Sequence, residues 1–248
     1  MKKIIALIFA LVMMMSLFTL AGCSSDDNVL VMGTNAEFPP YEYKDADGKT
    51  IIGIDAEIAK AVADKLGMEL EIRDMKFDSL ITAVKSGNVD IVLAGLTVNE
   101  ERKQSVNFTD TYATGVQVVI VPEKSDIKTV DDLKGKKIGV QVGTTGDIYC
   151  TGDYGQDFVK KYDNGPLAIA ALKNGQIDCV VIDNEPAKQF VKANKGLKIL
   201  DTEYVVEEYA AAIAKDNTEL YDKVNKAMKE LKADGTIDKI IAKYIKAE

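Results

Sequence analysis

The sequence predicts an α/β protein of two similar lobes that face each other across a cleft. Three observations carry that prediction. Residues 80–95, LITAVKSGNVDIVLAG, recur in pattern as residues 168–183, AIAALKNGQIDCVVID. In register, Ile81, Ala83, Lys85, Gly87, Asp90 and Val92 are matched by Ile169, Ala171, Lys173, Gly175, Asp178 and Val180. Each copy reads as an apolar helical stretch, a glycine suited to a left-handed helix end, and a short apolar run suited to a buried strand. Helix–glycine–strand is a common pattern, so chance similarity is the competing explanation. Strand and helix also alternate along the rest of the chain, which predicts a largely parallel sheet in each lobe. Finally, the two closing helical stretches have no counterpart in the second half, which returns them to the first lobe.

The first 22 residues read as a cleaved leader. Lys2 and Lys3 precede an apolar run over residues 4–20, broken only by Ser16 and Thr19, and Leu20-Ala21-Gly22-Cys23 follows. That is a secretory signal with a lipobox, which predicts lipidation at Cys23 and a short polar tether over residues 23–28. Two or more acyl chains would anchor the chain stably. The run also reaches the lower limit for a membrane span, so an uncleaved helical anchor is the alternative. No later stretch is long enough to cross a bilayer.

Residues 29–33 read as the first strand. Residues 54–66 read as a helix with Ile58, Val62 and Leu66 on one face, stopping at Gly67. Residues 69–75 read as a strand, and Asp78 is placed to cap the helix of the first repeat copy. Residues 116–121, VQVVIV, form a long apolar strand ended by Pro122. A second series follows through residues 137–140, the second repeat copy and residues 197–200. Residues 209–214 read as one more strand. Leu220, Val224, Ala227, Met228 and Leu231 mark one closing helix, and Ile237, Ile240, Ile241 and Tyr244 mark the other, with Asn217 and Gly235 as punctuation. The predicted division is a discontinuous first lobe, residues 29–116 with 211–248, and a second lobe, residues 117–210. The two crossings between them form a hinge.

Composition removes several function classes. The net charge of −8 becomes −10 once Lys2 and Lys3 are cleaved away, which argues against nucleic acid or anionic lipid as partners. There is no histidine, which removes the commonest general base, the usual hydrolytic triads and most zinc sites. Cys150 and Cys179 read either as two buried small residues or as a single bridge.

Four segments at strand ends carry candidate binding groups, because ligands of open α/β sheets sit beyond the carboxyl ends of strands. In Asn35-Ala36-Glu37-Phe38-Pro39-Pro40-Tyr41, the prolines stiffen a turn that presents Phe38, and less directly Tyr41, as an apolar wall, with Asn35 as a polar selector. The same segment also reads as a rigid turn burying its own aromatics. In Gly95-Leu96-Thr97-Val98-Asn99-Glu100-Glu101-Arg102, Gly95 permits close approach, Thr97 offers a hydroxyl, and Asn99 caps a helix carrying Arg102. A guanidinium there suits a carboxylate, while composition alone reads it as an exposed helix partner. Gln141-Val142-Gly143-Thr144-Thr145-Gly146 supplies amides and hydroxyls for an anion but matches no nucleotide motif. Asp183, before Asn184-Glu185-Pro186, either caps a helix or receives an ammonium. One guanidinium, one carboxylate, anion-friendly amides and aromatic walls together suit a zwitterion.

The runs TNAEFPPYEY, GIDAEIAKAVADKLG, FDSLITAVKSGNVDIVLAGLTVNEER, VNFTDTY, IGVQVGTTG and IDCVVIDNEPA resemble the polar amino-acid solute-binding proteins of ABC importers, across residues 29–245. The resemblance implies a two-lobed periplasmic-binding-protein fold of type II that closes on one amino acid and delivers it to a membrane permease. It implies that Arg102 clamps the ligand α-carboxylate with Thr97 and with Thr144 or Thr145. Asp183 takes the α-ammonium with the Gly95 carbonyl and the Thr97 hydroxyl. Phe38 and Phe77 sandwich the side chain, Asn35 and Gln141 tune selectivity, and the hinge strands fall at residues 116–117 and 208–210. Where Asn35 stands, relatives often carry Asp, and Glu37 replaces that charge if it points inward. The resemblance to arginine- and lysine-binding members favours a basic ligand slightly over a neutral polar one such as glutamine or cystine. The expected molecule is a lipid-anchored monomer on the outer face of a Gram-positive membrane, needing no cofactor and no metal. A dehydratase on the same fold is the enzyme alternative, with Glu37 as its one candidate acid. A sensor lipoprotein is the third reading. The last helix is expected to close the chain, with no enzyme domain attached.

Overall fold

The computed structural model describes residues 28–201 and 203–245. The leader over residues 1–22, Cys23 and the tether up to residue 27 lie outside the described residues. The chain runs through β1 (Val29–Thr34), β2 (Glu37–Phe38), β3 (Glu42–Lys44), β4 (Ile51–Ile52), α1 (Ile54–Leu66), β5 (Glu69–Asp74), α2 (Leu80–Lys85), β6 (Ile91–Val92), α3 (Glu100–Ser105) and β7 (Val106–Phe108). It continues through β8 (Ala113–Pro122), β9 (Ile138–Gln141), α4 (Thr145–Tyr154), β10 (Val159–Tyr162), α5 (Gly165–Lys173), β11 (Cys179–Asp183) and α6 (Asn184–Ala193). The last elements are β12 (Leu197–Ile199), β13 (Val205–Tyr209), β14 (Ala212–Ala214), α7 (Thr218–Ala233) and α8 (Thr236–Tyr244).

Two sheets define two lobes. The first has the order β5-β1-β6-β14-β7 and the second β10-β9-β11-β8-β12, with β13 also paired to β8; β2, β3 and β4 form a small third sheet. The expectation of largely parallel sheets holds for only three strands of each. β5, β1 and β6 are parallel, as are β10, β9 and β11, whereas β14, β8, β12 and β13 pair antiparallel. The antiparallel strands include those that cross between lobes. They also correct the single strand expected over residues 209–214. Tyr209 pairs with Ala113 on β8, while Ala212 pairs with Val92 and Phe108 in the first sheet. The chain changes sheets at Ala210-Ala211, so one strand becomes two.

The repeat is structural. Asp90 Oδ2 accepts from the Val31 amide at 2.8 Å, and Asp178 Oδ2 accepts from the Lys137 amide at 2.7 Å. In each lobe the repeated aspartate therefore pins the loop before its strand to the start of the neighbouring parallel strand. Gly87 and Gly175 both take the left-handed conformation, with φ of 73° and 67°. Asp78 does not cap the first repeat helix. A short 3-10 turn over Phe77–Ser79 comes between, and the N-cap is Ser79, without a side-chain bond.

The main core joins Leu30, Met32, Ile91 and Ile213 of the first sheet to Ile58 and Val62 of α1 and to Val224 and Met228 of α7. The closing helices thus return to the first lobe and pack on α1. Cys150 and Cys179 are buried and free. Among the described residues, no helix is long and apolar enough to cross a membrane.

Candidate ligand-binding site

Between the lobes lies a narrow cleft. It is lined by ten residues named from the sequence, but not by Tyr41, which is buried against the Phe38 and Tyr209 rings. Asn35 and Phe38 come from the turn after β1, Phe77 from the 3-10 turn, Gly95 and Thr97 from the loop after β6, and Arg102 from α3. The second lobe contributes Gln141 from the end of β9, Thr144 and Thr145 at the start of α4, and Asp183 at the end of β11. Ala94 and Glu42 also line it, and the sequence reading does not single them out. Glu37 is not among the lining residues.

Arg102 is buried, against the exposure that its charged helix suggests. Asn99 Oδ1 accepts from the Arg102 amide at 2.7 Å, which starts α3 and turns this side chain inward. Its guanidinium lies 5.5 Å from the Phe77 ring centroid. Nη1 donates to the Thr97 carbonyl at 2.7 Å and Nη2 to the Gly143 carbonyl at 3.0 Å. Both acceptors are neutral, and among the described residues no carboxylate forms a salt bridge with it. A guanidinium has five N–H groups, so donors remain. Burial pulls its pKa down, opposed by the charges of Glu207 and Asp183.

Asp183 is the N-cap of α6 by position but does not use its side chain as a cap. Its carboxylate accepts instead from the Tyr209 hydroxyl and, at 2.9 Å, from Gln117 Nε2. Burial pushes its pKa up to about 7, with the Glu207 charge adding and the two donors opposing. Behind the cleft, Asp55 Oδ2 accepts from the Gly95 amide at 2.7 Å and the Tyr112 hydroxyl at 2.8 Å, and burial pushes its pKa to about 6. Glu42 is fully buried, and desolvation together with the nearby Asp55 charge raises its pKa well above the usual range.

Several groups lock the cleft walls to one another. Gln141 Nε2 donates to Asn35 Oδ1 at 2.9 Å, and Asn35 Nδ2 donates to the Met75 carbonyl at 2.9 Å. Lys76 meets Asp163 at 2.9 Å across the cleft. The Thr144 hydroxyl donates to the Gln141 carbonyl at 2.8 Å and accepts from the Asp147 amide at 3.3 Å, so it serves the start of α4. Two glycines leave room for rings. A Cβ on Gly115 would come within 2.2 Å of the Tyr209 hydroxyl, and one on Gly95, at φ +51°, within 2.8 Å of Phe38. Gly95→Ala is therefore expected to cost about 1–2 kcal/mol of stability from the left-handed backbone alone. Thermal unfolding should show a fall of roughly 2–8 °C. An unchanged Tm would contradict the strain.

The pattern of the bacterial extracellular solute-binding proteins, family 3, matches residues 30–247. The chain is 37% identical over 239 residues to the arginine-binding extracellular protein ArtP of Bacillus subtilis, covering 92% of this chain and 90% of that protein. The structure of an ancestral arginine-binding protein bound to glutamine is similar at TM-score 0.84 and 43% identity, over 89% of this chain and 99% of that one. The arginine-, lysine-, histidine-binding protein ArtJ of Geobacillus stearothermophilus is similar at TM-score 0.83 and 36% identity, over 88% and 96% of the two chains. On the strength of the matched segment, the two-lobed fold and these relatives, the chain belongs to the bacterial extracellular solute-binding proteins, family 3.

Proposed function

We propose that this protein is the substrate-binding component of an ABC importer, which takes one polar L-amino acid into the cleft and delivers it to a membrane permease. The observation that carries this is a pair of buried groups of opposite charge facing one cavity, neither of them in a salt bridge among the described residues. Arg102 gives its bonds to two carbonyls and Asp183 takes its bonds from a hydroxyl and an amide. Burying a charge without its counter-charge is costly. An amino-acid zwitterion supplies both counter-charges at once, its α-carboxylate to Arg102 and its α-ammonium to Asp183. Gly95, Thr97, Thr144 and Thr145 shape these two ends, Phe38 and Phe77 wall the side chain, and Asn35 with Gln141 sets its distal limit.

The lobes divide at residues 29–116 with 211–248, and 117–210. Closure turns on β8 and β13, and ligand shifts an open–closed equilibrium without making or breaking a bond. A basic ligand is favoured slightly over a neutral polar one. Arginine appears in the names of the relatives, and glutamine occupies one of their structures. Cys23 carries the lipid that tethers a monomer to the outer face of the cell membrane.

A thermal-shift panel tests this on protein starting at Ser24, unfolded and refolded to strip bound ligand. The standard amino acids, ornithine and cystine are the probes. Ligand at a hundred times its Kd should stabilise by about 2.7 kcal/mol. That corresponds to a rise of roughly 5–10 °C. No shift with any of them would sink the amino-acid reading.

A further inference from the structure

Glu207 stands where both lobes and both crossing strands meet. It lies on β13 and is 5% exposed. Its Oε2 accepts from the Thr97 hydroxyl at 3.2 Å, the Thr145 hydroxyl at 2.9 Å and Gln117 Nε2 at 3.0 Å. Thr97 belongs to the first lobe, Thr145 to the second and Gln117 to β8. The two hydroxyl oxygens are 3.5 Å apart. Tyr149 lies nearby, its phenol pushed up to about 12 by burial and by Glu207.

A threonine hydroxyl has one proton and two lone pairs. A carboxylate is a stronger acceptor than any neutral oxygen, so it takes that proton when both are in reach. With Glu207 holding the protons of Thr97 and Thr145, both hydroxyls turn lone pairs toward the cleft. Lone pairs attract an ammonium and repel a carboxylate. We propose that Glu207 is a positioning residue that sets the polarity of the Thr97 and Thr145 hydroxyls, making them acceptors and so fixing which way round a bound amino acid lies. The inference rests on the amino-acid reading above. The ammonium then lies among Asp183, Thr97 and Thr145. The carboxylate is left to Arg102 and to the first N–H groups of α4, which have no partner within the helix. Without Glu207 the same hydroxyls are free to donate, and the site loses its preference for an ammonium at that end.

Calorimetric titration of L-arginine and its des-amino analogue, 5-guanidinopentanoate, tests this on wild type, Glu207→Gln and Glu207→Leu. If the panel names glutamine instead, the pair is L-glutamine and glutaramate. The wild type should bind the des-amino analogue at least about 100-fold more weakly than the amino acid, the loss of a charge-assisted contact. Both hydroxyls and Gln117 meet the single oxygen Oε2, whereas Oε1 has no partner among the described residues, so in Glu207→Gln the amide oxygen keeps the Oε2 place and both threonine protons stay held. The ratio in Glu207→Gln should therefore stay within a few-fold of wild type, whereas Glu207→Leu, which releases both protons, should cut it by about tenfold or more. A merely structural role for Glu207 would weaken both ligands equally, and an unchanged ratio in the folded leucine variant overturns the inference. Should the leucine variant fail to fold, Glu207→Met, of similar length and without the carboxylate, takes its place, and an unchanged ratio there overturns the inference equally. A wild type that binds no amino acid would overturn the amino-acid reading, and this inference with it.

Discussion

Arg102→Ala is expected to abolish amino-acid binding at accessible ligand concentrations. Removing one partner of a buried charge pair costs about 3–5 kcal/mol. That is roughly 100- to 4000-fold in Kd. The loss is predicted to fall on binding, because Arg102 lies in the cleft outside the apolar cores and bridges the lobes through the Thr97 and Gly143 carbonyls. Ligand-free Tm should fall by only a few degrees. Arg102→Lys keeps the charge but lacks the planar fork that reaches two carbonyls and a carboxylate together. It should recover part of the affinity. Titration calorimetry of the three proteins measures this series, and normal binding by the alanine variant would remove Arg102 from the site.

Asp183→Asn is expected to match that loss and to change the pH response as well. In the ligand-free protein burial has pushed Asp183 up to about 7, far above an unfolded aspartate at about 3.9. A folded pKa above the unfolded one gives stability that is fully present below the unfolded value and lost as pH rises through the folded value. The ligand-free protein should therefore have a higher Tm at pH 5.5 than at pH 8. The asparagine variant should reduce that slope, leaving the contributions of Asp55 at about 6 and of Glu42, which burial raises well above the usual range. Binding runs the other way, since an ammonium prefers the ionised carboxylate. Wild-type affinity should be greatest above pH 7 and weaken by up to about tenfold per unit below it. Titrations between pH 5.5 and 8.5 that show a flat Kd for wild type would contradict the role given to Asp183.

The lining of the cleft was legible because its residues stand in loops after strands, and the strands announce themselves by apolar runs. Phe38, Thr97, Gln141 and Asp183 were found that way. Arg102 was harder, since Glu100-Glu101-Arg102-Lys103 reads as a solvated helix face. Its burial follows from where the Asn99 cap aims the first turn, which composition does not record. Glu42, Asp55 and Glu207 went unnamed because acidic side chains read as exposed, and only packing between distant segments buries them. Glu207 did leave one local signal. It sits two residues before Tyr209 on β13, and period-two alternation places the two on one face. The fold was legible where the pattern was local, as in α1 and its stop at Gly67, whose φ is 70°. The break at Ala210-Ala211 was not, because an apolar run that changes sheets looks the same as one that does not. Asp78 failed as a cap for a similar reason: the Phe77–Ser79 turn displaced the helix start by one residue.

Arg102 and Asp183 stand ready for the two ends of one amino acid, and a crystal structure of the protein with the strongest ligand from the panel shows whether they take them. The expected result is a single amino acid in the cleft, α-carboxylate on Arg102, α-ammonium on Asp183, and side chain between Phe38 and Phe77. A ligand bound elsewhere, or one in the cleft that leaves Arg102 and Asp183 unengaged, would contradict it.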